Sequence, residues 1–258
     1  MPNPRDVLTA IAAAQREAAE LILQAHGVLA ETKTGHRDVV TEYDRRVQEL
    51  LTERLSAAVP GAVFFCEENE QQGDLQAEHV FVIDPIDGTM NFVRGFHHSA
   101  ISVAYMRSGV IQAASGYNPY AEECFSALAG GGAWCNGRPI HAGELPLSES
   151  VVCCGTAPYS PQLADSTFDL IKKAFLASLD IRREGSAALD MCSAAAGRAG
   201  VYFEPTVSLW DIAAGLLLVQ EAGGVCCRLD GSPVPLDGSK TSILAGGKQA
   251  VADFLKLV

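Results

Sequence analysis

An apolar strand that ends in two carboxylates is the feature of this sequence that most restricts its fold. Residues 80–83 read Val-Phe-Val-Ile, a short apolar run that favours a strand covered on both faces. Asp84 follows directly, and Asp87 comes three residues later. Pro85 disfavours the α conformation for Asp84 and keeps it extended, and Gly88 can adopt a positive φ. We therefore expect both carboxylates near the carboxyl end of a buried strand.

Two further acidic residues occupy the same kind of position. Glu67 follows the apolar residues 62–66, and Asp211 stands at the start of an apolar helix predicted near residues 210–222. In sheets flanked by helices, ligands collect at strand carboxyl ends and helix N-termini. Thr89 can cap the segment after the two aspartates, which leaves main-chain N–H groups free for an anion. These features together predict a divalent cation that carries a phosphate.

Each of these acidic residues also has an ordinary structural explanation. Asp-Pro and Asp-Gly are common in turns, Trp210-Asp211 suits a helix N-cap, and Glu67-Glu68 suits a solvated loop. Taken one at a time, the residues leave both explanations open. Their shared position at strand ends and a helix start favours the metal site.

The first half of the chain reads as two helices followed by a strand-rich region. Helices are predicted at residues 5–26 and 42–58, with a polar turn at residues 32–37 between them. Residues 100–140 show strands separated by turns, and Asn136-Gly137 is a strong two-residue hairpin signal. This texture predicts an antiparallel meander.

The second half alternates strands with helices, and the class is therefore α/β with layered sheets. We expect one unit over residues 1–258. It would divide into an antiparallel-sheet lobe over about residues 1–148 and a smaller α/β lobe over about residues 149–258.

Charge and composition exclude several classes of protein. The net charge of −12 argues against nucleic acid as a routine partner, because phosphate neutralisation needs a basic surface. Apolar stretches are too short to span a bilayer, and the N-terminus lacks the pattern of a signal peptide, so we expect no membrane partner and a cytoplasmic location. The eight cysteines include no C-x-x-C pair, and we expect reduced, mostly buried thiols.

Four segments in order along the chain carry a resemblance to a known family. They are DVVTEYD at residues 38–44, CEE at 66–68, DPIDGT at 84–89 and WDIAAG at 210–215. With these motifs the chain resembles the inositol monophosphatase family of magnesium-dependent, lithium-sensitive phosphatases. The resemblance implies a sandwich of alternating α/β/α/β/α layers, like that of inositol monophosphatase and fructose-1,6-bisphosphatase, and a homodimer.

The resemblance also implies roles for individual residues. The implied catalytic residues, which orient and deprotonate the attacking water, are Asp44, Glu67 and Thr89. The implied ligands of about two to three Mg²⁺ ions, for which Mn²⁺ can substitute, are Glu67, Asp84, the carbonyl of Ile86, Asp87 and Asp211. The implied substrate contacts are Lys33, Glu67, Ile86, Asp87, Gly88, Thr89, Gly185, Ser186, Ala187, Glu204 and Asp211.

The activity implied by the resemblance is hydrolysis of myo-inositol monophosphate to inositol and phosphate by metal-activated water. The same chemistry on fructose-1,6-bisphosphate, a nucleotide 3′-phosphate or histidinol phosphate is the alternative, as is a non-catalytic regulatory role or a calcium-stabilised structural domain. Two departures from the family pattern are His97-His98, where Phe-Pro is common, and Cys66, where glycine is common. We expect the histidines to alter the rim of the site or a dimer contact.

Overall fold

The computed structural model describes residues 2–35 and 38–258, without the side chains of residues 33–35 and 38. Helices and sheets alternate in layers, which confirms the predicted α/β class. Within the described residues, no helix combines the length and the apolarity that crossing a bilayer requires.

The first sheet has seven strands in the order β3-β4-β5-β6-β7-β8-β9. Only β3 and β4 pair in parallel, so the predicted antiparallel meander is confirmed. Asn136 and Gly137 have φ values of 50° and 75°, as a tight hairpin turn between β8 and β9 requires. The strands are β3 Val63–Cys66, β4 Val80–Asp87, β5 Ala100–Arg107, β6 Val110–Asn118, β7 Glu123–Leu128, β8 Gly132–Cys135 and β9 Arg138–Pro139.

The second sheet has five strands in the order β11-β10-β12-β14-β13. Strand β10 is parallel to both of its neighbours, whereas β14 is antiparallel to β12 and β13. The strands are β10 Val151–Cys154, β11 Asp180–Arg182, β12 Val201–Val207, β13 Val225–Cys227 and β14 Thr241–Gly246.

Helices cover both sheets and fill the space between them. Two lie on the outer face of the first sheet, α1 Pro4–Leu23 and α2 Glu42–Ala58, and two lie between the sheets, α5 Ala187–Ala195 and α6 Leu209–Glu221. The outer face of the second sheet carries α4 Ala164–Ala177 and α7 Lys248–Phe254. The remaining helical turns are α3 Thr89–Arg94, which follows β4, and 3₁₀ helices at Leu147–Glu149 and Pro161–Leu163.

Alternation along the strands divides the core between these layers. Phe81 and Ile83 pack toward α1 and α2, whereas Val82 packs toward α5 and α6. Tyr202 faces the space between the sheets, and its neighbour Phe203 packs toward α4 and α7. Each sheet is therefore buried on both faces, as the continuous apolar runs indicated.

Two predictions about local structure are wrong. Residues 32–35, predicted as part of a turn, lie in β1 Ala30–Gly35, which pairs antiparallel with β2 Asp38–Thr41; the rest of that prediction lies outside the described residues. Strand β4 does not end before Asp84 but continues to Asp87, with a shift in its pairing to β5 between these residues. Pro85 lacks an N–H for the ladder, and such an irregularity accommodates it.

Candidate active site

A cleft of about 430 Å³ opens where β4, β10 and β12 end and where α5 and α6 begin. The irregular end of β4 places its carboxylates on one wall of this cleft. The sequence-predicted residues that line it are Glu67, Asp84, Ile86, Asp87, Gly88, Thr89, Gly185, Ser186, Ala187, Glu204 and Asp211. Residues separated by more than 100 positions thus meet in one place. Lys33 lies in β1, but its side chain is outside the described residues.

Three carboxylates form the centre of the cleft. Asp84, Asp87 and Asp211 each offer one oxygen, and these three oxygens all lie within 4.8 Å of one another. Burial raises the pKa of the Asp84 carboxyl well above its usual range, and the charges of Glu67, Asp87 and Asp211 raise it further. Burial raises the pKa of Asp211 in the same way, with repulsion from Asp87 and Glu67. The cluster therefore carries strong repulsion between like charges.

Protein donors fix two members of this cluster. The Ser186 hydroxyl donates to Asp87 Oδ2, and Ala188 N donates to the same oxygen at 2.8 Å. Burial raises the pKa of Asp87 to about 7, although these two hydrogen bonds lower it. Ser208 N donates to Asp211 Oδ2 at 2.7 Å, because Asp211 is the third residue of α6. The aspartate therefore lies within the first helical turn and is not the N-cap.

The donor set suits a hard divalent cation. Three carboxylate oxygens in close proximity, from two buried and one half-buried side chain, match the oxygen ligands that Mg²⁺ or Mn²⁺ prefers. Glu67 is not one of the three mutually close residues, but it lines the same cleft, and its charge raises the pKa of all three. Fully buried Ile86 places its carbonyl beside the cluster, where it accepts from Thr89 Oγ1 at 3.1 Å.

A further acidic residue, Asp44, lies behind the cleft wall. Asp44 is fully buried at the start of α2, where its Oδ2 accepts from Thr41 N at 2.8 Å and from Thr41 Oγ1 at 2.6 Å. Its Oδ1 lies 3.3 Å from Thr89 Oγ1. Thr89 does not cap α3 as predicted, because Gly88 is the N-cap, in a left-handed conformation with φ 88°. The Thr89 hydroxyl has one proton, and it can donate this proton either to Asp44 Oδ1 or to the Ile86 carbonyl oxygen.

Another wall of the cleft carries one carboxylate, Glu204, with a different environment. Glu204 Oε2 accepts from the Tyr202 hydroxyl at 2.7 Å, and Oε1 accepts from Ala157 N at 2.8 Å. Burial raises the pKa of Glu204, and these two hydrogen bonds together with the charge of Arg183 oppose the rise. Gly155 leaves room for this carboxylate, since a Cβ there would lie 1.9 Å from Oε2.

Some residues of the cleft had no clear signal in the sequence. Arg183 lines it and donates to Thr156 Oγ1 from Nε at 3.3 Å and from Nη2 at 3.2 Å. Lys240 reaches it from the loop before β14. Asn91 Nδ2 donates to the carbonyls of His98 and Glu184, both at 2.7 Å, which ties α3 to the loop before α5. These residues could be found only by knowing which loops meet.

The two histidines do not line the cleft. His97 stacks on Tyr120 with ring centroids 4.9 Å apart, and His98 Nε2 lies 3.3 Å from Glu184 Oε2. The expectation that they alter the rim of the site or a dimer contact stays a prediction. The predicted thiols are confirmed: all eight cysteines are unpaired, and Cys66 and four others are buried.

Comparisons with known proteins point to one family. The sequence model of the inositol monophosphatase family matches residues 3–257. The chain is 38% identical over 226 residues to an inositol-1-monophosphatase of Mesorhizobium japonicum, covering 87% of this chain and 84% of that one. It is 35% identical over 249 residues to a putative Nus factor SuhB of Neisseria meningitidis serogroup B, covering 95% of both chains.

Solved structures agree with the layered fold. The extragenic suppressor protein suhB of Bartonella henselae superimposes with a TM-score of 0.90 at 30% identity, covering 97% of both chains. The similarity thus extends over nearly the whole chain in sequence and in structure.

Proposed function

Since this chain belongs to the inositol monophosphatase family, we propose that it is a Mg²⁺-dependent phosphomonoester hydrolase that converts myo-inositol monophosphate to inositol and phosphate. The observation that carries the proposal is the group of three acidic side chains, Asp84, Asp87 and Asp211, whose oxygens lie within 4.8 Å of one another in the cleft. A buried cluster of like charges is costly unless a cation binds to it.

The metal site of the proposal combines the cluster with two neighbours. Asp84, Asp87 and Asp211 supply carboxylate oxygens, Glu67 adds charge from the rim, and Ile86 offers its carbonyl. Bound Mg²⁺ supplies positive charge that stabilises a phosphate and lowers the pKa of a water. The acidic cluster then changes from a region that repels the substrate into one that attracts it. This resolves the conflict between a net charge of −12 and an anionic substrate.

Asp44 and Thr89 form the proton-handling pair of the proposal. Thr89 Oγ1 lies 3.3 Å from Asp44 Oδ1, so the hydroxyl can pass its proton to that oxygen when it accepts one from the attacking water. Thr41 holds Asp44 in place through the two contacts to Oδ2. Glu67, on the rim of the cleft, helps to orient the same water.

The substrate binds, in this proposal, between the cluster and the Glu204 wall. Main-chain groups at Gly185, Ser186 and Ala187 contact the inositol ring, and the Glu204 carboxylate accepts hydrogen bonds from the ring hydroxyls. The absence of a side chain at Gly88 allows the Gly185 loop to approach closely, because a Cβ at residue 88 would lie 3.1 Å from the Gly185 carbonyl oxygen. The protein acts as one catalytic unit over residues 1–258.

Phosphate release from a panel of substrates tests the proposal. Purified protein with Mg²⁺ should hydrolyse inositol 1-phosphate faster than fructose-1,6-bisphosphate, a nucleotide 3′-phosphate or histidinol phosphate. Li⁺ should inhibit the reaction, and Mn²⁺ should support it. A rate on another substrate about tenfold higher than on inositol 1-phosphate would overturn the choice of substrate, and replacement of Mg²⁺ by Ca²⁺ without loss would overturn the chemistry.

A second candidate role comes from the name of the Neisseria meningitidis relative, a putative Nus factor. In that case the protein acts as a regulatory partner, and direct binding to nucleic acid is disfavoured by the charge of −12. The two roles make different demands on the cleft, because a regulatory partner does not need its acidic cluster.

The homodimer stays a prediction, and the eight unpaired thiols favour a reducing compartment such as the cytoplasm.

A further inference from the structure

The Glu204 carboxylate has a protein donor on each of its oxygens. Tyr202 OH donates to Oε2 at 2.7 Å, and Ala157 N donates to Oε1 at 2.8 Å. A carboxylate has about four lone-pair positions. Two of them are therefore used within the protein, one on each oxygen. The other two remain for groups that enter the cleft, which Glu204 lines.

Three local features hold the carboxylate in this single orientation. Tyr202 lies two residues before Glu204 on β12, so both side chains leave the same face of the strand. The Tyr202 ring is fully buried in the core between the sheets, which fixes its hydroxyl. Ala157 has a φ of 44°, a conformation that non-glycine residues rarely adopt and that persists only when the surroundings impose it.

Gly155 adds a steric constraint on the same oxygen that Tyr202 contacts. A Cβ at residue 155 would lie 1.9 Å from Glu204 Oε2 and 2.0 Å from its Cδ. The carboxylate therefore lies directly against the backbone of the loop after β10. The backbone of Gly155 and the Tyr202 hydroxyl therefore both restrict Oε2, and Glu204 still lines the cleft.

We propose that Tyr202 is a positioning residue that fixes Glu204 so that its two oxygens accept hydrogen bonds from two adjacent hydroxyl groups of the substrate. This inference rests on the proposed phosphatase function, and it adds the residue that orients the Glu204 carboxylate.

The test compares two phosphate monoesters, inositol 1-phosphate and 4-nitrophenyl phosphate, which has no hydroxyl groups for Glu204. Tyr202→Phe keeps the buried ring and removes only the donor. The ratio of kcat/KM for inositol 1-phosphate to kcat/KM for 4-nitrophenyl phosphate should fall about tenfold, as expected for loss of a hydrogen bond to a charged group. The fall should come from a higher KM for inositol 1-phosphate.

Tyr105→Phe is the matched control. Tyr105 is also fully buried and its hydroxyl also makes a hydrogen bond, at 2.8 Å to His79 Nδ1, but it does not line the cleft. This variant should leave the ratio unchanged. Thermal unfolding of both variants checks that each one is folded. In a Glu204→Gln background, Tyr202→Phe should have no further effect on the ratio, because the group it positions is already changed.

The outcomes separate the inference from the proposed function. If the wild-type protein with Mg²⁺ hydrolyses neither compound, the proposed function fails and the inference fails with it. If it hydrolyses both and Tyr202→Phe leaves the ratio unchanged, the inference alone is overturned. It is also overturned if Tyr202→Phe lowers the ratio equally in the Glu204→Gln background.

Discussion

The two walls of the cleft use the same chemical group in opposite ways. On one wall, Asp84, Asp87 and Asp211 bring their oxygens within 4.8 Å of one another, and the charge of Asp87 raises the pKa of both other carboxyls. On the other wall, Glu204 receives two hydrogen bonds and the favourable charge of Arg183. Burial raises the pKa on both walls, and the difference lies in what compensates for it.

This difference distinguishes carboxylates suited to binding metal from a carboxylate suited to accepting hydroxyl groups, which residue type alone does not reveal. A carboxylate compensated by protein donors is complete without an ion, and it is available to accept hydroxyl groups. A cluster of carboxylates that repel one another becomes stable as anions only when an external cation joins it. In the proposed function, the cluster wall is therefore the part that depends on metal, and the Glu204 wall is the part that recognises the organic portion of a substrate.

The largest expected effect comes from Asp211→Asn on the cluster wall. Removal of one charged ligand should lower kcat about 10³-fold, because metal-derived stabilisation of the transition state is worth several kcal/mol. Phosphate release at saturating inositol 1-phosphate measures this change. Asp230→Asn, in an exposed turn where Asp230 Oδ1 accepts from Ser232 N, is the control. A normal rate for Asp211→Asn would remove the distinction between the walls.

A smaller effect is expected from Gly155→Ala on the Glu204 wall. The new Cβ would overlap Glu204 Oε2, so the side chain must leave its position. KM for inositol 1-phosphate should rise about tenfold while kcat changes less than about threefold, since the metal ligands are untouched. Gly143→Ala is the matched control, because its Cβ would meet its nearest atom at an ordinary 3.8 Å. A lower kcat with an unchanged KM would show instead that Glu204 acts together with the residues of the cluster wall.

The smallest effect is a pH dependence of stability in the metal-free protein. The folded-state pKa of Asp87 is raised to about 7, and those of Asp84 and Asp211 are raised as well, whereas the unfolded chain titrates near 4. Raised pKa values stabilise the fold below about pH 4, and this contribution is lost as the pH rises through about 7. The unfolding temperature with a chelator should therefore fall by several degrees between about pH 5 and pH 8.

Added Mg²⁺ and two substitutions test whether the acidic cluster causes this pH dependence of stability. Added Mg²⁺ should raise the unfolding temperature more at about pH 8 than at about pH 5, because it binds the ionised cluster. Asp84→Asn should flatten the pH dependence, whereas Glu204→Gln should change it less, since hydrogen bonds already compensate Glu204. Equal slopes for the two variants would contradict the comparison between the walls.

The sequence predicted the cluster more completely than its surroundings. Asp84 and Asp87 are local to one strand, and Pro85 marks the irregularity that displays them, so reading along the chain was sufficient. Glu204 was identified, but its partners Tyr202 and Ala157 were not. Ala157 lies 47 positions away on the loop after β10, and nothing in the sequence shows that this loop reaches β12. Strand β1 was missed for a related reason: its polar sequence is typical of a turn, and pairing with β2 decides its structure.

At the starts of α2 and α6, a capping role and the proposed functional role of an aspartate are compatible. Asp44 and Asp211 are each the third residue of a helix, and each accepts a hydrogen bond from the backbone N–H of its N-cap residue, Thr41 or Ser208. For Asp211, the sequence left both a capping explanation and a functional one open. In the structure one oxygen serves the cap, which fixes the side chain and thereby positions the carboxylate. The capping contact is therefore compatible with the proposed role of each residue.

Titration calorimetry of Mg²⁺ into chelator-stripped protein near pH 7 tests the central claim most directly. The account predicts saturable uptake of about two to three ions per chain with release of protons, because carboxyls with raised pKa values must ionise to bind them. Heats measured in two buffers with different ionisation enthalpies reveal the protons, and Asp84→Asn should weaken the uptake. Absence of any Mg²⁺ or Mn²⁺ binding, or equal binding by Asp84→Asn, would contradict the account.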